Sequence, residues 1–273
     1  MKLSEIRRIS KLKLKGNGIE ELDADFIIAE ILSVSVTSLF QDRDIDNTII
    51  KEISNCIERR AKHIPIEKIF NKAYFYGLEF YVDNNVLTPR SETELLVDKA
   101  LEFINQNKNV KVLDLCTGSG AIACAIKKHC GAEIDAVDIS NKAIKIAKKN
   151  AKNLNLDINI FKSDMFSNLK EKYDLIISNP PYIETEVCTT LESEVKDNDP
   201  ILALDGGEDG LDFYRVIKAN LNYLKPNGVL IMEIGYNQGE SVKEIFNDYD
   251  VKIVKDYNNL DRVVIVKEKT NGR

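Results

Sequence analysis

The sequence has little of the chemistry that metal sites and histidine-based active sites require. It contains two histidines, His63 and His129, and it has no Cys-x-x-Cys pair or zinc-type spacing. We therefore expect no metal site and no histidine catalysis, and we interpret both histidines as surface or packing residues. The five cysteines are odd in number, which favours reduced thiols in the cytoplasm over a disulfide framework.

Long apolar runs are also missing. No run approaches the roughly 20 apolar residues that a membrane-spanning helix needs, so we expect no membrane partner. The first residues lack the apolar core of a secretory signal. The start up to Lys15 is basic and amphipathic, as in a transit peptide, but we interpret it as the first surface helix of the fold.

Positive charge is not in surplus. The net charge of −6 argues against sequence-blind binding of a nucleic-acid backbone. One local basic patch remains a candidate, although such a run is usually a solvated helix face. It consists of Lys2, Arg7, Arg8, Lys11, Lys13 and Lys15.

The sequence up to about residue 70 has helical patterning. Apolar residues recur at three-residue spacing in the first stretch, which predicts one buried face formed by Leu3, Ile6, Ile9 and Leu12. Asp23 or Asp25 is expected to cap a second helix, and a third is expected over residues 44–60. Aromatic and β-branched residues around glycine and asparagine then predict a β-hairpin.

From residue 91, short apolar runs alternate with helical patterns. The runs lie at residues 110–115, 134–137, 158–161, 175–178, 229–233, 251–254 and 263–266. Such strands are typical of a mostly parallel sheet covered on both faces. Only a short turn separates the last two runs, so they should pair antiparallel. We predict an α/β fold with a helical domain over residues 1–72, a hairpin linker over 73–90 and a sheet domain over 91–273.

Ligand-binding residue types follow the first three predicted strands of that sheet. A glycine turn lets the backbone approach a ligand closely, and it consists of Cys116, Thr117, Gly118, Ser119 and Gly120. Asp138 follows the second strand, where a carboxylate can accept from both ribose hydroxyls. Asp164 and Met165 follow the third strand and suit an adenine ring. Together these residues predict a nucleoside-containing ligand at the carboxyl edge of the sheet.

The glycine turn leaves other functions open. Gly118-x-Gly120-x-x-Ala123 with Asp138 also fits a dinucleotide fingerprint, so an NAD-dependent oxidoreductase remains an alternative. No Gly-Lys-Ser or Gly-Lys-Thr occurs, which argues against a P-loop NTPase. The simplest structural alternative is that Asp114 and Asp138 only cap helices.

The fourth strand continues directly into Asn179-Pro180-Pro181-Tyr182. Prolines stiffen this loop and lack N–H groups, which leaves an excess of carbonyl acceptors. The side-chain oxygen of Asn179 and the backbone carbonyl of Pro180 can each accept one hydrogen of a substrate NH2 group. Tyr182 can stack on a planar amide or base. Two fixed acceptors orient a weakly nucleophilic nitrogen towards an activated methyl donor, so no general base is assigned. A plain Pro-Pro turn is the alternative.

At these motifs the sequence resembles the HemK/PrmC family, the peptide chain release factor N5-glutamine methyltransferases. The resemblance covers nearly the whole chain and includes residues 86–94, 203–211 and 233–235. It implies a class I, Rossmann-like methyltransferase domain, S-adenosyl-L-methionine as cofactor and a helical substrate-recognition domain. The implied protein substrate is a release factor, methylated at the glutamine of its Gly-Gly-Gln motif in translation termination.

The resemblance also implies which residues act. It assigns binding of the substrate amide to Asn179, Pro180, Pro181 and Tyr182. Of these, we predict Asn179, Pro180 and Tyr182 as the catalytic residues. It assigns the cofactor to residues 116–120, Asp138, Met165 and Asn179, to which the adenine argument adds Asp164. The sequence departs from the family pattern at Cys116 and Asn71, where glycine is usual, and at Ser91 and Lys68. If position 116 needs a positive φ, the turn is strained there.

Alternatives within the methyltransferases remain. A nucleic-acid amino group or a ribosomal-protein glutamine poses the same geometric problem as a release-factor glutamine. An enzyme that flips bases would need a broad basic groove, and none is evident in this acidic chain. We therefore expect no direct nucleic-acid substrate. A non-catalytic adaptor is disfavoured by the intact cofactor and loop motifs.

Overall fold

The computed structural model describes residues 1–269, which form two compact units. The first unit consists of residues 1–71 with 193–198, and the second consists of residues 72–192 with the described chain from 199 onward. The helices are α1 (Leu3–Lys15), α2 (Leu22–Leu32), α3 (Asn47–Arg60), α4 (Ile66–Phe70), α5 (Glu94–Asn105), α6 (Ala121–Cys130), α7 (Asn141–Asn153), α8 (Thr185–Cys188), α9 (Ser193–Lys196), α10 (Asp212–Ala219) and α11 (Gly239–Ile245). Within residues 1–269, none of them has the length and apolar character to span a membrane.

The strands are β1 (Lys72–Phe75), β2 (Leu78–Tyr81), β3 (Lys111–Leu115), β4 (Glu133–Asp138), β5 (Asn159–Lys162), β6 (Tyr173–Ser178), β7 (Leu224–Glu233), β8 (Asp250–Lys255) and β9 (Asp261–Lys267). β1 and β2 form the antiparallel hairpin, with Tyr76 and Gly77 at φ 49° and 72° in its two-residue turn. Positive φ at both central positions matches the right-handed twist of the two strands.

The buried face of α1 differs from the predicted stripe. Leu3 and Ile6 are buried, but Ile9 is 45% exposed and Leu12 is 57% exposed. Each three-residue step falls roughly 60° short of a full helical turn of 3.6 residues. Three such steps separate Leu3 from Leu12, so the two side chains lie on opposite faces of the helix. Leu14 returns to the buried face instead.

The predicted cap of α2 is wrong, because both aspartates serve in ion pairs. The helix begins at Leu22 without a side-chain cap. Asp25 is buried, and its carboxylate accepts from Arg7 Nε over 2.9 Å and from Lys11 Nζ over 2.7 Å. Burial alone would raise the pKa of Asp25, but these bonds lower it below its usual value. Asp23 pairs with Arg60 over 2.6 Å.

The N-terminal basic patch is therefore largely paired within the first unit. Besides Arg7 and Lys11, three of its lysines contact carboxylates, and these pairs are Lys2–Asp44, Lys13–Glu58 and Lys15–Glu21. Paired cations attract phosphate less strongly, because the neighbouring carboxylates cancel much of their field.

The second unit contains a seven-stranded sheet in the order β5-β4-β3-β6-β7-β9-β8. Strands β3 to β7 run parallel, and β9 pairs antiparallel with both β7 and β8. The predicted Rossmann-like sheet with an antiparallel last strand is confirmed. The strand order reverses between β3 and β6, and ligands of open α/β sheets bind outside the carboxyl ends of the strands at such a point.

Helices cover both faces of the sheet, so its central strands are apolar on both sides. In β6, Leu175 and Ile177 pack in one cluster and Ile176 packs in the other. All three side chains are fully buried. This two-sided burial explains why the strands appear as unbroken apolar runs in the sequence.

We expect Ile177→Ala to lower the free energy of unfolding by about 2–5 kcal/mol, because the buried strand would retain a cavity. The matched change Ile201→Ala removes the same atoms from a side chain that is 57% exposed. That control should stay within about 0.5 kcal/mol of wild type. Urea denaturation measures both, and equal effects would contradict the assignment of Ile177 to the core.

Candidate active site

A cavity lies at the carboxyl ends of β3, β4 and β6, where the strand order reverses. It brings together several of the predicted site residues, namely Cys116, Gly118, Asp138, Asp164, Met165, Asn179 and Pro181. Apolar side chains that the sequence did not single out as site residues complete the wall, among them Leu87, Pro200, Leu202 and Phe213. Thr117, Ser119, Gly120, Pro180 and Tyr182 are not part of its lining.

The turn after β3 is compact and left-handed. Cys116, Gly118 and Gly120 have φ of 59°, 55° and 80°. At Gly120 a Cβ atom would approach Ala147 Cβ to 3.1 Å, so glycine suits this contact with α7. At Gly118 a Cβ would meet nothing nearer than the Cys116 carbonyl oxygen at 4.0 Å, which leaves room for a ligand against the backbone.

Cys116 is the strained member of this turn. A side chain in the left-handed region costs roughly 1–2 kcal/mol relative to glycine. The thiol lies 3.8 Å from Met165 Sδ, and both residues line the cavity. Burial raises the pKa of the Cys116 thiol far above its usual value, which keeps the sulfur protonated and weakly nucleophilic.

Asp138 ties the end of β4 to the turn. Its Oδ2 accepts from the Gly118 N–H over 2.9 Å, and its Oδ1 accepts from the Ser140 N–H over 2.8 Å. Ser140, and not Asp138, caps α7 through its own hydroxyl. Burial raises the pKa of Asp138 above its usual value, although these hydrogen bonds oppose the shift. The carboxylate also lines the cavity, so it does more than shape a helix start.

Asp114 lies fully buried below the turn. Its Oδ2 accepts from the Thr117 hydroxyl over 2.6 Å and from the Ala123 N–H over 3.2 Å. In the part of the chain that the structure describes, its Oδ1 has no hydrogen-bond partner. Ser119 lies beside this layer, where its carbonyl accepts from Asn150 over 2.9 Å. Thr117 and Ser119 thus support the turn from below.

A buried hydrogen-bond chain leads away from Asn179. Asn179 Nδ2 donates to Thr93 Oγ1 over 3.2 Å, and Thr93 Oγ1 donates to Glu233 Oε2 over 2.6 Å. Glu233 ends β7 and is 2% exposed. Burial raises its pKa above the usual glutamate value, although bonds from Thr93 and Tyr182 and the charge of Arg262 oppose that shift.

Tyr182 is anchored at both its hydroxyl and its backbone. The hydroxyl donates to Glu233 Oε1 over 3.2 Å, and the backbone carbonyl accepts from Gln238 Nε2 over 2.9 Å. Tyr214 donates to the Glu233 carbonyl over 3.0 Å and lies beside Gln238. The loop is therefore held by buried polar groups of β7, α10 and the start of α11.

Sequence reasoning did not assign chemistry to Thr93, Glu233, Gln238 or Tyr214. Thr93 and Glu233 lie in segments that support the family resemblance, but that similarity assigns no chemical role to either residue. One signal was available, because Glu233 is an acidic residue that ends a run of five otherwise apolar positions. A buried carboxylate at the edge of a sheet needs partners.

Comparison with known proteins adds the family. A model described as "Methyltransferase small domain" matches residues 91–206, and one described as "PrmC N-terminal domain" matches residues 6–70. A release factor glutamine methyltransferase of Clostridium acetobutylicum is 38% identical over 272 residues, 95% of each chain. One of Streptococcus pneumoniae is 38% identical and covers 98% of this chain and 99% of its own.

The chain belongs to the release factor glutamine methyltransferase family.

Solved structures of more distant proteins share the fold. A methyltransferase from Pyrococcus furiosus matches with a TM-score of 0.54 and 17% identity, covering 80% of this chain and 100% of its own. A Thermus thermophilus 16S rRNA N2 G1207 methyltransferase, solved with AdoMet and guanosine, matches with a TM-score of 0.51 and 19% identity. That match covers 72% of this chain and 50% of the other. At such identity the likeness concerns the class I fold alone.

Membership of the release factor glutamine methyltransferase family makes this protein a methyltransferase, and its cofactor is S-adenosylmethionine. Family membership sets aside the NAD-dependent oxidoreductase. The cavity fits the cofactor, because Gly118 leaves open backbone, Asp138 and Asp164 offer carboxylate acceptors, and Met165 offers an apolar side chain. In the predicted arrangement the Asp138 carboxylate would accept from the ribose, the Asp164 carboxylate would accept from the adenine amine, and Met165 would cover the adenine face.

We expect Asp138→Asn to raise the dissociation constant of S-adenosylmethionine by roughly 10–100-fold, the loss expected for a hydrogen bond to a charged group. Isothermal titration calorimetry measures this constant. Asp157→Asn makes the same change at an exposed position outside the cavity and should leave it unchanged. Equal affinities in all three proteins would contradict a cofactor role for Asp138.

Asp114 predicts a pH-dependent stability. Burial raises its pKa to about 7, against roughly 3.9 in an unfolded chain. Between these values the folded protein binds more protons, so its free energy of unfolding falls as the pH rises. Relative to Asp114→Asn, the cofactor-free wild type should therefore lose stability from about pH 4 to about pH 7. A difference that stays constant with pH in denaturant titrations would contradict this.

Proposed function

We propose that this enzyme methylates the side-chain amide nitrogen N5 of the glutamine in the Gly-Gly-Gln motif of peptide chain release factors. The observation that carries the proposal is the orientation of Asn179. Its NH2 group is bonded to Thr93, which leaves its carbonyl oxygen as the acceptor at the cavity. The name shared by relatives at 34–39% identity supports a release factor as the substrate.

Two acceptors suit the two hydrogens of a glutamine amide. Neither Asn179 Oδ1 nor the Pro180 carbonyl oxygen has a hydrogen-bond partner among residues 1–269. Both would accept from the substrate NH2, fix its plane and favour the positive charge that builds on nitrogen. Pro181 and the anchored Tyr182 keep the loop in place.

The cofactor supplies a methyl group that is already activated by a positively charged sulfur. Residues 116–120, Asp138, Asp164, Met165 and Asn179 would hold it against the end of the sheet. Burial and the Glu233 contact raise the pKa of the Tyr182 hydroxyl far above neutral. The hydroxyl therefore stays protonated and acts as a donor, so the residues position the amide and do not deprotonate it.

We further propose that residues 1–72 recognise the release factor and that residues 91–273 carry the methyltransferase, joined by the hairpin over 73–90. The match to the "PrmC N-terminal domain" supports this division. The exposed apolar side chains of Leu12 and Phe26, 57% and 45% exposed, offer protein-binding surface in the first region. The five cysteines are unpaired, which favours a location in the cytoplasm. There the enzyme would support translation termination.

The test uses S-adenosylmethionine with a tritiated methyl group and a purified release factor. We expect label at the Gly-Gly-Gln glutamine, and Asn179→Ala should lower kcat/KM by roughly 100-fold or more, as for loss of one preorganised polar contact. Cofactor affinity should change much less. The control Asn153→Ala, at an exposed position on α7, should label normally.

Two outcomes would contradict this function. Equal labelling of a release factor whose motif glutamine is replaced by alanine would exclude that glutamine as the acceptor. Labelling of rRNA, DNA or a ribosomal protein in its place would favour one of the related amino-group methyltransferases.

A further inference from the structure

The single proton of the Thr93 hydroxyl determines the direction of the hydrogen bonds that join Asn179, Thr93 and Glu233. A threonine hydroxyl has one proton to donate and lone pairs to accept. The 2.6 Å contact with Glu233 takes that proton when the carboxylate is ionised. Thr93 Oγ1 can then only accept from Asn179, so the amide must present its NH2 group inward.

The Thr93–Glu233 end of this hydrogen-bond chain is shielded from water. Thr93 is 4% exposed and Glu233 is 2% exposed, and the three residues come from separate parts of the second unit. Thr93 precedes α5, Asn179 follows β6 and Glu233 ends β7. In such surroundings an unpaired polar group costs roughly 1–3 kcal/mol, so each member constrains the next.

We propose that Thr93 and Glu233 are positioning residues that decide which end of the Asn179 amide meets the substrate. The inference rests on the proposed function, in which the Asn179 oxygen accepts a hydrogen from the substrate amide. With Glu233 ionised, the Asn179 oxygen faces the cavity and the enzyme is active. Thr93 transmits this preference without touching the substrate.

Uptake of one proton from solvent by Glu233 reverses the chain. The protonated carboxyl donates to Thr93 Oγ1, which frees the Thr93 proton to be donated to the other partner of this hydroxyl, Asn179. That bond requires the Asn179 oxygen inward and its NH2 group towards the cavity. Two NH2 groups would then face each other, so the substrate would keep only the Pro180 carbonyl as an acceptor and its amide plane would no longer be fixed.

The surroundings of Glu233 place this reversal above the usual titration range of a glutamate. Tyr182 donates to the carboxylate and Tyr214 to the backbone carbonyl. Burial and the charge of Glu92 raise the pKa of Glu233, while Thr93, Arg262 and Tyr182 lower it. Arg262 is itself paired with Asp256 over 3.2 Å. The net direction is upward, so activity is lost as pH falls through a value above roughly 4.3.

The first test needs no substrate. Thr93→Val keeps the shape of the side chain and removes the hydroxyl, whereas Thr93→Ser keeps the hydroxyl. Nuclear magnetic resonance of asparagine-labelled enzyme, with Asn179→Asp to assign the signal, reports the Asn179 NH2 protons. We expect slow exchange with water in wild type and Thr93→Ser and fast exchange in Thr93→Val. Equal exchange in all three would overturn the proposal.

The second test uses kinetics. Thr93→Val should lower kcat by about 10–100-fold, the penalty of a misplaced reacting group. The affinity for S-adenosylmethionine should change much less, and Thr93→Ser should stay near wild type. Glu233→Gln cannot ionise, so the acid limb of its kcat–pH profile should disappear. A wild-type kcat in Thr93→Val, or an unaltered acid limb in Glu233→Gln, would overturn the proposal.

The two tests separate this inference from the proposed function. If the Asn179 protons respond to Thr93→Val but wild type methylates no glutamine, the positioning of Asn179 stands and the substrate assignment fails.

Discussion

The buried carboxylate of Glu233 is the interaction on which the candidate active site depends. It accepts hydrogen bonds from Thr93 and Tyr182 and so joins the end of β7 to the residues before α5 and to the loop after β6. A carboxylate with so little contact with water is costly unless its partners are fixed. The same partners therefore fix Asn179, which otherwise could present either end of its amide to a ligand.

Two kinds of rigidity meet at the cavity. On the proposed cofactor side the backbone is held by left-handed turn geometry and by Asp138, which accepts from the Gly118 and Ser140 N–H groups. On the proposed substrate side, prolines stiffen the loop, and the hydrogen bond with Thr93 orients the side chain of Asn179. Both arrangements orient dipoles before the ligand binds. Such preorganisation can lower the activation barrier of methyl transfer without a general base.

The sheet and much of the lining of the candidate site could be predicted from the sequence, because local patterns encode them. Apolar runs of strand length and a glycine turn require no knowledge of distant residues. The buried chain could not be predicted, since Thr93 and Glu233 are 140 residues apart and meet only through the strand order. The predicted cap of α2 was wrong for the same reason, because Asp25 pairs with Arg7 and Lys11 on another helix.

A double-mutant cycle between Thr93 and Asn179 tests the central claim most directly. The quantity is kcat/KM for glutamine methylation in wild type, Thr93→Val, Asn179→Ala and the double variant. If Thr93 acts through Asn179, the valine substitution should cost roughly 10–100-fold in wild type and almost nothing once Asn179 is alanine. Independent losses that multiply in the double variant would contradict the account.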